Sequence, residues 1–191
     1  MPAVGEVRLQ LLGPIEVLCD GQPIVLGGPI VRQLFVQLAL SPGAPITHER
    51  LVAAVWEDNA PAAAPTALRV HMNRLRAGLR DAPVTVVHQP GGYLLVGAPM
   101  VLDVIELDRL EQLLADALDP IDALVTVDRA LALWRGASMA DVRRLPFAER
   151  FAAQLDRRLE LLGWRREQSW SRPATVARPF PTSRSGCGPT D

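Results

Sequence analysis

The chain has few of the residues on which secreted, membrane-spanning and metal-binding proteins depend. All 20 basic residues are arginine, and Phe, Trp and Tyr make up 5% of its 191 residues. The two cysteines, Cys19 and Cys187, lie too far apart to suggest a metal site or a disulfide framework. No run of about 18 apolar residues is present, and the N-terminus lacks a signal-peptide pattern. These absences predict a soluble cytoplasmic protein with no membrane partner.

Acidic residues are missing from one segment in particular. No Asp or Glu occurs between Asp58 and Asp81, although the whole chain has a formal net charge of -1. Because no global field would attract nucleic acid, any affinity for DNA must come from a local patch. The segment Thr66–Arg80 lies within this gap and carries four arginines.

The spacing of Thr66–Arg80 predicts an amphipathic helix. Its apolar stripe consists of Leu68, Met72, Leu75 and Leu79. The opposite side presents Arg69, Val70, Asn73, Arg74 and Ala77, with Arg76 and Arg80 on the flank. Guanidinium and amide groups are those that read base edges and bind phosphates. An arginine-rich helical face is also common on solvated surfaces. The neighbouring elements are therefore needed to distinguish a DNA-binding face from an ordinary solvated one.

The neighbouring elements follow the order of a winged helix. Short strands are predicted at Val7–Leu11, Ile15–Leu18 and Ile24–Leu26. Helices are predicted at Ile30–Leu40 and, after the N-cap Thr47, at Glu49–Trp56, and a link at Asn59–Pro65 leads into the arginine helix. Runs at Val84–Val87 and Tyr93–Val96 flank Pro90-Gly91-Gly92 and predict a hairpin. In a winged helix the third helix enters the major groove and the hairpin contacts the backbone or the minor groove.

The pattern changes to continuous helix from Val101 onward. Helices are predicted at Asp103–Leu118, Pro120–Trp134 and from Pro146 through Leu162. The predicted fold class is an α+β winged-helix domain at 1–98 followed by an all-α, TPR-like segment at 99–163. Three helices are few for a stable stack of this type. Proline-rich residues 164–191 show no apolar periodicity, and we expect this tail to be disordered.

Catalytic and metal chemistry find little support in the sequence. His48, His71 and His88 are scattered over a helix start, a helix and a turn, without acidic residues at ligand spacing. Gly27-Gly28-Pro29 lacks the Lys-Ser/Thr of a phosphate loop, and no serine lies in a nucleophile elbow. We therefore expect neither an enzyme nor a cofactor.

Several ordered blocks resemble one family of regulators. LLGPIEVLCDGQPIVLGGP, ERLVAAVW, TALRVHMNRLRAGL and QPGGYLL resemble the SARP/AfsR-type transcriptional activators of actinobacteria, whose first domain is OmpR/PhoB-like. LDVIELDRLEQLL and DRALALWRGASMADV resemble the start of the bacterial transcriptional activation domain that follows in that family. The resemblance covers about residues 5–163.

The resemblance also implies roles for individual residues. Arg69, Asn73 and Arg74 would face the groove, and the hairpin would supply the wing contact. The full set of implied DNA-binding residues is Thr66, Arg69, Asn73, Arg74, Arg76, Arg80, His88, Gln89, Tyr93 and Arg32. Arg32 matches a commonly basic position that contacts the DNA backbone or the domain's own loop. Two departures are Gln89, where the wing usually carries arginine, and Ile30, where a basic residue is frequent.

The function predicted on these grounds is sequence-specific DNA binding in transcription regulation, with activation of a secondary-metabolite gene cluster. The implied partners are double-stranded DNA with direct repeats, RNA polymerase and a second copy on DNA, at the nucleoid. One alternative is a truncated protein–protein interaction module that competes with a full-length paralogue, and another is a defunct gene product. Because a shifted frame of a GC-rich coding sequence would give an amphipathic tail, we also hypothesise a frameshift within 164–191.

Overall fold

The first sheet brings together strands from both ends of the N-terminal half. The computed structural model describes residues 5–171. Strands β1 (Val7–Gln10), β2 (Glu16–Cys19) and β3 (Gln22–Pro23) are antiparallel, and β7 (Met100–Leu102) pairs in parallel with β1. The sheet order is β3-β2-β1-β7. The β7 strand was not predicted, because the sequence was interpreted as helical from Val101 onward.

The third strand lies earlier than predicted. Ile24 still donates to the Val17 carbonyl oxygen at 2.7 Å, but the chain then leaves the sheet. Val25 is exposed, whereas Leu26 is buried in the core. A β-carbon on Gly78 would lie 3.0 Å from the Val25 carbonyl oxygen, so this segment covers the end of the third helix. The predicted bounds Ile24–Leu26 are therefore wrong, since β3 ends at Pro23 and only Ile24 keeps a hydrogen bond to β2.

Three helices follow in the predicted order. They are α1 (Pro29–Ala39), α2 (His48–Trp56) and α3 (Ala64–Gly78). The N-cap at Thr47 is confirmed, because its hydroxyl accepts a hydrogen bond from the Arg50 N–H at 3.2 Å. A short 3-10 turn at Glu57–Asn59 follows α2. Helix α3 begins two residues earlier than predicted, since Pro65 fits the first turn of a helix, where its missing N–H costs nothing.

A three-stranded sheet forms the wing. Strands β5 (Val84–Gln89) and β6 (Gly92–Gly97) form the predicted hairpin around Pro90-Gly91, and β4 (Ile46–Thr47) pairs with β6. Gly91 takes a φ of 87°, a conformation that favours glycine. A β-carbon on Gly92 would lie 2.1 Å from the Ile46 carbonyl oxygen, so β4 can approach only because this residue is glycine.

The C-terminal part consists of α4 (Asp103–Asp116), α5 (Pro120–Leu131) and α6 (Pro146–Ser171). Helix α5 ends three residues before the predicted Trp134. Helix α6 continues past Gly163, so the expectation of disorder is wrong for 164–171; an Arg166–Asp128 ion pair of 2.6 Å links this extension to α5. Residues 172–191, the rest of the predicted disordered tail, lie outside the described range, and the frameshift hypothesis stays untested. Among the described helices none combines the length and apolar character needed to cross a membrane.

Polar contacts join the helical part to the first sheet. The Asp103 carboxylate accepts hydrogen bonds from the Leu11 N–H at 2.7 Å and the Leu12 N–H at 2.9 Å. The backbone N–H groups of Arg135 and Met139 donate to the same two residues' carbonyl oxygens at 2.7 and 3.0 Å. One hydrophobic cluster extends through both parts. The helical part, α4 to α6, therefore packs against the preceding sheets and helices and is joined to them by hydrogen bonds.

Candidate nucleic-acid interface

Helix α3 separates an apolar face from a polar one. Leu68, Met72 and Leu75 have no exposed surface, and Leu79, just after the helix, is also buried. The polar face of α3, which consists of Arg69, Val70, Asn73, Arg74 and Ala77, is exposed. The predicted amphipathicity is confirmed. Because the buried face packs against α1 and α2, the polar face is held on a rigid support.

The arginines of this region are not neutralised by the protein's own acids. Within residues 5–171, Arg69, Arg74 and Arg80 form no ion pair, and all three are exposed. In the helical part, by contrast, Arg143 pairs with Asp156 at 2.5 Å, and Arg158 pairs with two carboxylates. Guanidinium groups without protein partners can still bind an anion or a base edge.

Arg76 has a different environment from the other arginines of α3. Its Nε donates to the Val86 carbonyl oxygen of β5 at 2.7 Å, and its guanidinium lies 5.7 Å from the centre of the Tyr93 ring on β6. Its Nη1 donates to the Asn73 Oδ1 at 3.0 Å. Arg76 therefore links α3 to the wing, a structural role that the sequence expectation of DNA binding did not include.

The wing brings aromatic and imidazole groups together. His48, the first residue of α2, lies 5.4 Å from His88 and 5.2 Å from Tyr93, measured between ring centres. His88 is exposed and Gln89 is half-buried beside the turn, whereas Tyr93 is 3% exposed. Tyr93 thus belongs to the core of the wing. The sequence did not predict His48 as a neighbour of the wing. The β-branched pair Ile46-Thr47 directly before α2 was a weak signal for the short strand β4, which brings His48 to the wing.

The remaining histidine of the helix is half-buried. His71 lies 6.4 Å from Trp56, between ring centres, and its Nδ1 is buried without a hydrogen-bond partner. Burial, together with the nearby Arg74 guanidinium, lowers the pKa of His71. His71 therefore packs against Trp56 at the edge of α3.

The other predicted residues are dispersed. Thr66 is exposed in the first turn of α3, and Arg80 lies two residues beyond its end. The Arg32 guanidinium binds the Asp141 carboxylate, whose other oxygen accepts a hydrogen bond from the Ile15 N–H at 2.9 Å. Arg32 therefore joins the two parts of the protein and is not grouped with the α3 arginines. Its partner, Asp141, lies outside the domain at 1–98, so this contact differs from the contact with the domain's own loop that the resemblance implied, and the implied contact with the DNA backbone stays a prediction.

The described part of this surface provides cations and hydrogen-bond donors. Over the described range, His, Cys, Asp and Glu side chains form no group of three or more that could hold a metal ion. The exposed polar face of α3 and the wing lie on neighbouring elements joined by Arg76. Such a surface suits an extended anionic partner better than a small molecule.

Known regulatory proteins resemble this chain over most of its length. Residues 21–95 match the family described as "Transcriptional regulatory protein, C terminal". The transcriptional regulatory protein MoaR1 of Mycobacterium tuberculosis is 32% identical over 162 residues, which cover 79% of this chain and 51% of MoaR1. The regulatory protein AfsR of Streptomyces coelicolor is 32% identical over 165 residues, covering 83% of this chain and 16% of AfsR.

A solved structure extends the comparison to the fold. Mycobacterium tuberculosis EmbR, described in complex with a low-affinity phosphopeptide, has a TM-score of 0.69 and 26% sequence identity. The match covers 87% of this chain and 45% of the EmbR chain. The chain spans about half the length of MoaR1, and less of the other relatives named here.

The winged-helix fold and the match over residues 21–95 show that the chain contains an OmpR/PhoB-type domain, the kind that transcriptional regulatory proteins carry. Within that class it is a homologue of the SARP-type regulators, since MoaR1, AfsR and EmbR all match over most of its length. The resemblance drawn from the sequence blocks is confirmed.

Proposed function

We propose that this protein binds double-stranded DNA sequence-specifically through α3 and the wing and thereby regulates transcription. The observation that carries the proposal is the polar face of α3, which is exposed, free of acids and rich in arginines without protein partners. Arg69, Asn73 and Arg74 would contact base edges in the major groove. Thr66 and Arg80, at the two ends of α3, would contact phosphates.

The wing would lie along the adjacent backbone. His88 and Gln89 beside the turn are its candidate contacts, and His48 is added because it lies next to His88. Tyr93 and Arg76 would support the wing through their contact with each other, and Arg32 would join the helical part to α1 through Asp141. Gln89 carries no charge, so we expect a weaker attraction to the minor groove than an arginine there would provide.

The proposal is tested by comparing two arginine variants in a gel-shift assay with promoter DNA that contains direct repeats. Arg74→Ala should weaken specific binding by about 5-fold to 150-fold, since a good base contact is worth about 1–3 kcal/mol. Arg109→Ala, an exposed arginine on α4, is the matched control and should leave binding unchanged. Specific binding that is insensitive to Arg74→Ala would contradict the site. The full chain should be used, because removing residues after 98 would delete β7 from the first sheet.

The helical part suggests a second role, contact with other proteins. We propose that residues 99–163 form a TPR-like unit that mediates self-association on tandem DNA sites or contact with RNA polymerase. This is supported by apolar side chains exposed around the start of α5, where Leu118, Ile121 and Val125 are 100%, 72% and 53% exposed. Light scattering of the full chain with repeat DNA tests self-association. Ile121→Glu should abolish two-copy complexes, and retained two-copy complexes would contradict a role for this face.

A further inference from the structure

The amide of Asn73 is oriented by its neighbour on α3. Arg76 Nη1 lies 3.0 Å from Asn73 Oδ1. A guanidinium carries five donors and no acceptor, so its partner in this contact has to be the amide oxygen. The two N–H groups of the Asn73 side chain are left for an external partner.

Arg76 is itself held in position. Its Nε donates to the Val86 carbonyl oxygen at 2.7 Å, and its guanidinium lies against the Tyr93 ring, which is almost completely buried. Turning Arg76 away to release Asn73 would leave the half-buried contact with Val86 unmade. The orientation of Asn73 is therefore set by three elements: α3, β5 and β6.

This orientation changes what Asn73 can read in a major groove. An asparagine that recognises adenine does so with two bonds, accepting from N6 and donating to N7. Here Arg76 occupies one of the two lone pairs of the oxygen and holds the oxygen toward itself, which hinders a second bond from adenine N6; Arg69 and Arg74 on the same face offer donors only. Guanine presents two acceptors, N7 and O6, and thymine presents O4. Adenine presents the acceptor N7 beside a donor at N6, which side-chain N–H groups cannot satisfy.

We propose that Asn73 selects guanine or thymine over adenine, because Arg76 holds the Asn73 amide with its N–H groups directed toward the base. This inference rests on the proposed function, since it requires α3 to lie in the major groove. Arg76 is thus a positioning residue whose effect on specificity is exerted through Asn73.

The test is a selection of binding sites from a randomised double-stranded DNA pool by the full chain. The wild type, Asn73→Ala and Arg76→Met are compared, with Arg109→Met as the control for loss of an exposed arginine. The position read by Asn73 is identified as the one whose base preference is lost in Asn73→Ala. In the wild type this position should be guanine or thymine, and in Arg76→Met, which frees the amide oxygen, it should shift toward adenine.

The size of the effect is measured on synthetic duplexes. Replacing the selected base pair by one with adenine should weaken wild-type binding about fivefold, the value of one net hydrogen bond, and Arg76→Met should reduce or reverse this difference. Circular dichroism shows whether Arg76→Met is folded. If this variant does not fold, the base that the wild type selects at the Asn73 position tests the inference.

Three results would overturn the inference: adenine at the Asn73 position in the wild type, no position that depends on Asn73, or an unchanged preference in a folded Arg76→Met. Absence of any sequence enrichment would instead contradict the DNA-binding function itself, so the two failures are distinguishable.

Discussion

Substitution of Asp103 tests how the helical part is joined to the first sheet. The Asp103 carboxylate accepts hydrogen bonds from the N–H groups of Leu11 and Leu12, two residues without exposed surface. Asp103→Ala would leave both N–H groups without this acceptor. A hydrogen bond to a charged group contributes about 1.5–3 kcal/mol. Because the burial of Asp103 offsets part of this gain, we use the lower end of that range, about 1.5 kcal/mol for each bond. The expected loss of unfolding free energy is therefore about 3 kcal/mol for the two hydrogen bonds together.

The assay is chemical and thermal denaturation of the full chain, followed by circular dichroism. For a chain of this size, a loss of about 3 kcal/mol corresponds to a fall in Tm of roughly 6–12 °C. Asp103→Asn keeps an acceptor oxygen and should lose less than about 1 kcal/mol. Asp116→Ala, an exposed acid at the end of the same helix, is the control and should stay within about 0.5 kcal/mol of the wild type.

The same residue predicts a dependence on pH. Burial raises the pKa of Asp103, although bonds from Leu12 and Leu11 act in the opposite direction. The folded chain therefore holds this proton more tightly than the unfolded chain does. The stabilisation that comes from this tighter proton binding is complete at pH values below the ordinary pKa of an aspartate, and it is lost as the pH rises through the raised folded-state pKa of Asp103. Lowering the pH should accordingly favour the wild type relative to Asp103→Asn.

Two results would refute this reasoning about Asp103. The first is an Asp103→Ala variant as stable as the Asp116→Ala control. The second is a wild-type chain that unfolds in two separate transitions, because a joined core should unfold cooperatively.

Three further predictions concern the wing and α3. Gly92→Ala should destabilise the chain by more than about 2 kcal/mol in urea denaturation, because its β-carbon would collide with the Ile46 carbonyl oxygen; Gly28→Ala, in open space, should be nearly neutral, and equal effects would contradict the close approach of β4. Met72→Ala should cost about 2–5 kcal/mol, since its side chain is fully buried, and a loss below 1 kcal/mol would contradict that burial. Arg80→Ala should reduce the slope of log K against log salt by about 1 without changing base preference; an unchanged slope would remove Arg80 from the phosphate contacts.

The faces of α3 could be predicted from sequence because helical periodicity is a local property. Leu68, Met72 and Leu75 recur at helical spacing, and the structure buries all three. The hairpin could be predicted equally well, since Pro90-Gly91-Gly92 between two β-rich runs is a local signal.

Long-range pairing could not be read in the same way. Strand β7 has three residues, too few for a period, and it exists because β1 offers a free edge more than 90 positions earlier in the chain. Arg74 and Arg76 are the same residue type two positions apart, yet only Arg76 reaches the Val86 carbonyl oxygen. Which arginine is available to a ligand depends on where the hairpin packs, and that is a tertiary property.

Methylation protection of a bound promoter duplex tests the central claim, entry of α3 into the major groove, most directly. Dimethyl sulfate modifies guanine N7 in the major groove and adenine N3 in the minor groove. The wild type should protect guanine N7 within each repeat, and Arg74→Ala should lose that protection while Arg109→Ala keeps it. Protection confined to adenine N3, or guanine protection that Arg74→Ala leaves intact, would contradict the placement of α3 in the major groove.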